Sequence, residues 1–169
     1  MLAVAVETYG AGHVFTMGDS AGGQIALSAA LLLRKKHQYR LAQTILISPA
    51  LDLRLTNPDI DAVEPTDPWL ARGGMTVAID MWRGGCAVED AMVSPLLADL
   101  YNLGPLTVFS GTRDITNPDT KLLVGKIRAL GGTVDYHEGP GLIHVYPLLF
   151  GPEAKAARNC IVETLRKVV

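Results

Sequence analysis

Cysteine is almost missing from this chain. Two in 169 residues, Cys86 and Cys160, cannot build a disulfide framework, so an apolar core must hold the fold. Both thiols are read as small buried hydrophobes. Charge is also scarce, at 19% of residues with a net of −2. Lys and Arg are scattered apart from Arg34-Lys35-Lys36, so the basic stripe of a phosphate-tracking protein is absent and no nucleic-acid partner is expected. No stretch approaches the roughly 18 apolar residues of a membrane-crossing helix. The opening run Met1–Val6 has no basic flank and stops at Glu7, unlike a signal peptide, so the expected location is cytoplasmic, with no membrane span. Internal repeats and low-complexity tracts are lacking. No Walker loop occurs, no G-x-G-x-x-G follows a strand, and no His, Cys and Asp stand at metal-ligand spacing. The expectation is therefore no cofactor and no metal.

What is present is apolar. Hydrophobic residues make up 49% of the chain, and mean hydropathy is +0.23. That excludes a disordered chain and suits one domain, which at this size buries roughly 70% of its unfolded surface.

Residues 1–9 read as a short helix closed by Gly10-Ala11-Gly12. Val14-Phe15-Thr16-Met17 reads as a buried strand. From Ala21 to Lys36 the pattern is helical and apolar almost all round, with three cations at the negative end of the dipole. Thr44–Ile47 is a second strand, stopped by Ser48-Pro49. Residues 51–74, rich in proline and acids, read as an irregular excursion followed by a helix near 74–83. Leu106–Phe109 is the third strand. Asn117-Pro118-Asp119 reads as an N-cap, a proline at the first helical position and an acid in the first turn. That helix places Leu122, Leu123, Ile127 and Leu130 on one face. Residues 133–137 form a fourth strand. Glu153–Val168 is an amphipathic helix with Ala157, Cys160, Ile161, Leu165 and Val168 inward. Strands that are continuous apolar runs, alternating with helices, predict an α/β fold with a parallel sheet covered on both faces.

Gly18-Asp19-Ser20-Ala21-Gly22 fits G-x-S-x-G and falls between a predicted strand and a predicted helix, the context of a nucleophile elbow. Glycines two before and two after the serine let strand and helix approach, and the Ala21 N–H at the helix start points where an oxyanion would form. A serine nucleophile needs a base, and the base an orienting acid. On a parallel sheet these gather beyond the strands' carboxyl ends. Asp114 follows the third strand and His144 lies in the loop after the fourth, in the chain order Ser, Asp, His. Asp119 is the alternative acid, but its place in a first turn explains it structurally. Among the other histidines, His13 lies at the wrong end of its strand, His37 follows a helix, and His137, at a strand end, is the runner-up base.

At these residues the chain resembles the hormone-sensitive-lipase-like group of α/β-hydrolases, carboxylesterases and lipases that cleave acyl esters. The matching stretches are GDSAGGQIALSAAL (18–31), ILISPALDL (45–53), VSPLLADLYNLGPLTVFSGTRDI (93–115) and GPGLIHVYPL (139–148). The resemblance implies a three-layer α/β sandwich, with Ser20 as nucleophile, Asp114 as orienting acid, His144 as base and then acid, and Ala21 N–H as one oxyanion donor. It also implies an N-terminally truncated version, a partial catalytic domain over 1–169 with a lid-side insertion at 51–85. The group carries a His-Gly-Gly-Gly segment before the elbow, and the 19 residues preceding Ser20 hold none. On this reading the first strand is an open edge, through which the chain is expected to form a homo-oligomer or take a partner; a clean monomer in light scattering would contradict that. Small-molecule acyl esters of short to medium chain are the implied substrates. A silent binding module on the same scaffold, and a serine peptidase of the prolyl-oligopeptidase type, are the alternatives.

Overall fold

The four expected strands become four parallel strands in the computed structural model, which describes residues 1–168. They are β1 (Phe15–Asp19), β2 (Gln43–Ile47), β3 (Leu106–Arg113) and β4 (Val134–Ile143), lying side by side in chain order. The helices are α1 (Leu2–Tyr9), α2 (Ala21–His37), α3 (Ile60–Val63), α4 (Arg72–Arg83), α5 (Asn117–Ala129) and α6 (Pro152–Arg166). None of the described helices is long and apolar enough to cross a membrane.

Strand alternation divides the core into two layers. Leu46, Leu106 and Val108 pack against Leu27 and Leu31 of α2 and Leu123 and Ile127 of α5. Ile45, Ile47 and Phe109 point the other way, against Ala157 and Ile161 of α6. All five residues of β2 are buried, so Ile45-Leu46-Ile47 is apolar without alternation, while the buried Gln43 amide is satisfied by Thr107 Oγ1 at 2.8 Å. β1 is an outer strand of the sheet, and its Phe15 and Met17 are exposed.

Several local expectations are corrected. β3 runs four residues past Phe109, and β4 runs six past His137 because pairing resumes after an irregularity. Gly111 pairs with Gly139, then Arg113 with Ile143. A Cβ at Gly111 would lie 2.2 Å from the Leu142 carbonyl oxygen, so this crossing of β3 and β4 requires glycine. Asn117 does not cap α5. That position belongs to Thr116, and the Asn117 amide donates instead to Ser110, Tyr136 and Glu138. Leu122 and Leu130 are exposed, and Val124 joins Leu123 and Ile127 inside. On α6, Ala157 and Ile161 are buried, whereas Cys160 and Leu165 are partly covered and Val168 lies beyond the helix end. Cys86 sits in the turn after α4 and is exposed, not a buried hydrophobe.

Candidate active site

Each parallel strand ends one residue short of a group in the site. Ser20 follows β1, Ser48 follows β2, Asp114 follows β3 and His144 follows β4. The register pairs Asp19 with Ile47 and Arg113 with Ile143, so the next residue on each strand also becomes a neighbour. This is the crevice beyond the carboxyl ends of a parallel sheet, where such folds place ligands.

Ser20 turns the chain from β1 into α2 with φ 50° and ψ −119°, a conformation that costs a non-glycine residue about 1–3 kcal/mol. It precedes the first helical residue, yet its hydroxyl makes no capping bond. The hydroxyl is turned instead toward the His144 Nε2, 3.0 Å away. Ala21 opens the helix, so its N–H has no intrahelical acceptor and is free for a ligand oxygen.

The close approach of strand and helix is built differently from the motif's simplest reading. A Cβ at Gly18 would fall 2.1 Å from the Gly22 carbonyl oxygen, which no side chain can survive. At Gly22 the nearest atom would be 3.9 Å away, so glycine is not needed there for space; Gly23 is the packed position, 2.9 Å from Pro49 Cβ. We expect Gly23→Ala to destabilise the fold by about 1–3 kcal/mol through overpacking. Gly22→Ala should be neutral or gain up to about 1 kcal/mol in helix propensity. Urea unfolding of both variants checks this order, and a Gly22→Ala loss exceeding that of Gly23→Ala would refute it.

His144 is buried and donates from Nδ1 to Asp114 Oδ1 at 3.0 Å. An ionised carboxylate only accepts, so the partners place the proton on Nδ1 and leave Nε2 to accept from Ser20. Asp114 is fully buried. Desolvation raises its carboxyl, but the hydrogen bond and charge of His144, then the Ser48 hydroxyl and the Thr116 N–H, outweigh that and hold it below its ordinary value. Thr116 gives that same Oδ1 two bonds, from N–H at 2.9 Å and from Oγ1 at 2.8 Å.

Ser48 was not anticipated as part of this arrangement. It has φ 46° and no exposure, and its Oγ accepts from the Val145 N–H at 2.9 Å. Val145, a β-branched residue at φ 50°, is itself strained. Ser48 thereby fixes the turn that carries His144. The Ser48-Pro49 stop after a strand was the signal available in the sequence.

The excursion after β2 supplies a wall. A cavity of about 270 Å³ opens at Ser20, with Ala21, Ala50 and Leu53 on the sheet side. Met75, Ala78, Ile79 and Trp82 of α4 line the opposite side, an i, i+3, i+4, i+7 stripe. This segment is tied to the acid's loop, because Asp67 accepts from the Ile115 N–H at 2.8 Å and the Thr66 carbonyl from Arg113 Nε at 3.0 Å.

The runners-up lie elsewhere. His137 bonds Asp135 at 2.9 Å and stacks on Phe109. Asp119 is buried and accepts from Asn57 Nδ2 at 2.8 Å. Burial, against that hydrogen bond, pushes its carboxyl up to about 6. A native value raised above the ordinary 3.8 favours folding below the unfolded value, and the benefit is lost as pH rises through about 6. Asp119→Asn is therefore expected to add on the order of 3 kcal/mol near pH 7.5 and almost nothing near pH 4. Equal changes at both pH values in urea unfolding would refute this.

A parallel α/β sheet with a strained serine turn, a buried histidine on that serine and a buried carboxylate behind it defines the class. The chain belongs to the α/β-hydrolase-fold family, whose model matches residues 3–148. It is 30% identical to a triacylglycerol lipase of Mycobacterium tuberculosis over 88% of this chain and 30% of that one. With an esterase of Acinetobacter venetianus it shares 29% identity, over 89% and 50%. A solved esterase of the bacterial hormone-sensitive lipase family superposes with a TM-score of 0.88 at 28% identity, covering 97% of this chain and 56% of that one. The chain thus spans half or less of the length of these two curated relatives.

Proposed function

We propose that this chain carries the acyl-transfer centre of a serine esterase acting on short- to medium-chain acyl esters. The observation behind this reading is the pair of 3.0 Å contacts that join Ser20, His144 and Asp114 in one line. Ser20 Oγ attacks the ester carbonyl while His144 Nε2 takes its proton. The Ala21 N–H faces the oxygen that becomes negative, and Asp114 stabilises the imidazolium. His144 returns the proton to the departing alcohol, leaving an acyl-serine. Water, deprotonated by His144, then releases the acid and restores Ser20. Residues 51–85 act as the lid-side insertion, and α4 closes an apolar slot whose size favours a short acyl chain.

The esterase and lipase names of the relatives support this reaction class. A series of p-nitrophenyl esters from acetate to palmitate tests it. Turnover above the buffer background is expected for the short and medium esters, falling for the longest. Absence of turnover at every chain length would overturn the proposal and favour a binding module on the same scaffold.

A further inference from the structure

The sequence spacing 135, 137, 160 suggests no metal site, yet the fold gathers these three side chains. We propose that Asp135, His137 and Cys160 bind one divalent transition metal of the zinc class, in the groove between β4 and α6. Asp135 and His137 are two apart on a strand and so share a face, and α6 brings Cys160 over that face. Asp135 Oδ2 lies 2.9 Å and Cys160 Sγ 3.5 Å from the same His137 Nε2. All three ligand atoms fall within 4.8 Å of one another.

That convergence excludes the obvious alternative, a cysteine–histidine–acid relay. A relay needs the acid on one ring nitrogen and the nucleophile on the other, as at His144. Here both contacts meet at one nitrogen, which is the geometry of three donors around a point. Tetrahedral zinc, with bonds near 2.0–2.3 Å, sets its donors about 3.3–3.8 Å apart, so shifts of roughly an ångström complete the site. The ring is held for the purpose: it stacks on Phe109 with centroids 4.6 Å apart, and the Tyr146 hydroxyl donates to the His137 carbonyl oxygen at 3.3 Å.

The donor set selects the ion. Sulfur and imidazole nitrogen beside one carboxylate suit zinc, cobalt or nickel, whereas calcium and magnesium require oxygen throughout. On binding, the Cys160 S–H bond breaks, its proton passes to solvent and the sulfur's electron pair forms the metal–sulfur bond; no oxidant or reductant is involved. His137 and Cys160 line an open groove, which leaves the fourth position to water. A metal there would clamp the C-terminal helix to the strand that leads into His144.

Cobalt(II) tests the site without reference to activity. The chain is used with Cys86→Ser, which removes the exposed thiol. One equivalent of cobalt is expected to give tetrahedral visible bands and a near-ultraviolet thiolate-to-cobalt band, both displaced by zinc. Even partners behind metal ligands are worth about 10–100-fold in affinity, so His137→Ala or Cys160→Ser should weaken cobalt binding by about 100-fold or more. Cys160→Ser should also abolish the thiolate band. Asp135→Asn, at an exposed position, should weaken binding with the fold intact by circular dichroism. Absence of a thiolate band in the Cys86→Ser chain, or a band unchanged in His137→Ala, would overturn the assignment.

Discussion

Replacing Ser20 by alanine is expected to lower ester turnover by about 10⁴-fold or more while leaving thermal unfolding nearly unchanged. The oxygen it removes is the atom that forms the acyl bond, and among the described residues no second hydroxyl is hydrogen-bonded to His144 Nε2. Stability should hold because the Ser20 hydroxyl caps nothing in α2, and alanine meets the same backbone strain at φ 50°. His144→Ala should fall to the same floor, and the double variant no further, since the two groups act as one unit. Steady-state kinetics with p-nitrophenyl butyrate checks this. Turnover surviving in either single variant would place the chemistry on another group.

Asp114→Asn is expected to cost about 10⁴-fold in turnover with binding of the ester little affected. The acid lies fully buried, where a charge acts through a poor dielectric, and it faces the ring nitrogen that becomes part of an imidazolium. The amide is nearly isosteric, and Thr116 still offers two donors to its carbonyl oxygen, so the loop should keep its shape. The loss should therefore fall on kcat and not on KM. A variant that loses KM alone would mean Asp114 only shapes the pocket.

Both expectations start from residues whose convergence could be read in the sequence, because they sit where a parallel sheet exposes its strand ends. Ser20 and Asp114 each follow a largely apolar strand, His144 follows the glycine-rich stretch after the fourth, and their order matched a known chemistry. β2 was legible because its Ile45-Leu46-Ile47 stretch, buried on both faces, is a continuous apolar run. What was hidden depends on tertiary contacts. Gly139-Pro140-Gly141 has the composition of a loop, but pairing of Ile143 with Arg113 carries β4 through to His144. Asn117 stands in a good capping sequence, yet Ser110, Tyr136 and Glu138 draw its amide inward. The helix expected near 74–83 matches α4 to within two residues, but that its Met75, Ala78, Ile79 and Trp82 stripe faces Ser20 depends on how the excursion folds back. Asp135 and His137 share a face of β4 by their spacing, but Cys160 joins them only when α6 docks, and local spacing carries no trace of that.

The central claim is that Ser20 is an activated nucleophile, and a fluorophosphonate reports this directly, because it bonds covalently to a serine whose proton has a base to receive it. Intact-mass and peptide analysis after brief exposure should find one adduct per chain, on Ser20, and none after His144→Ala. A chain that stays unlabelled, or one labelled equally well without His144, would contradict the account.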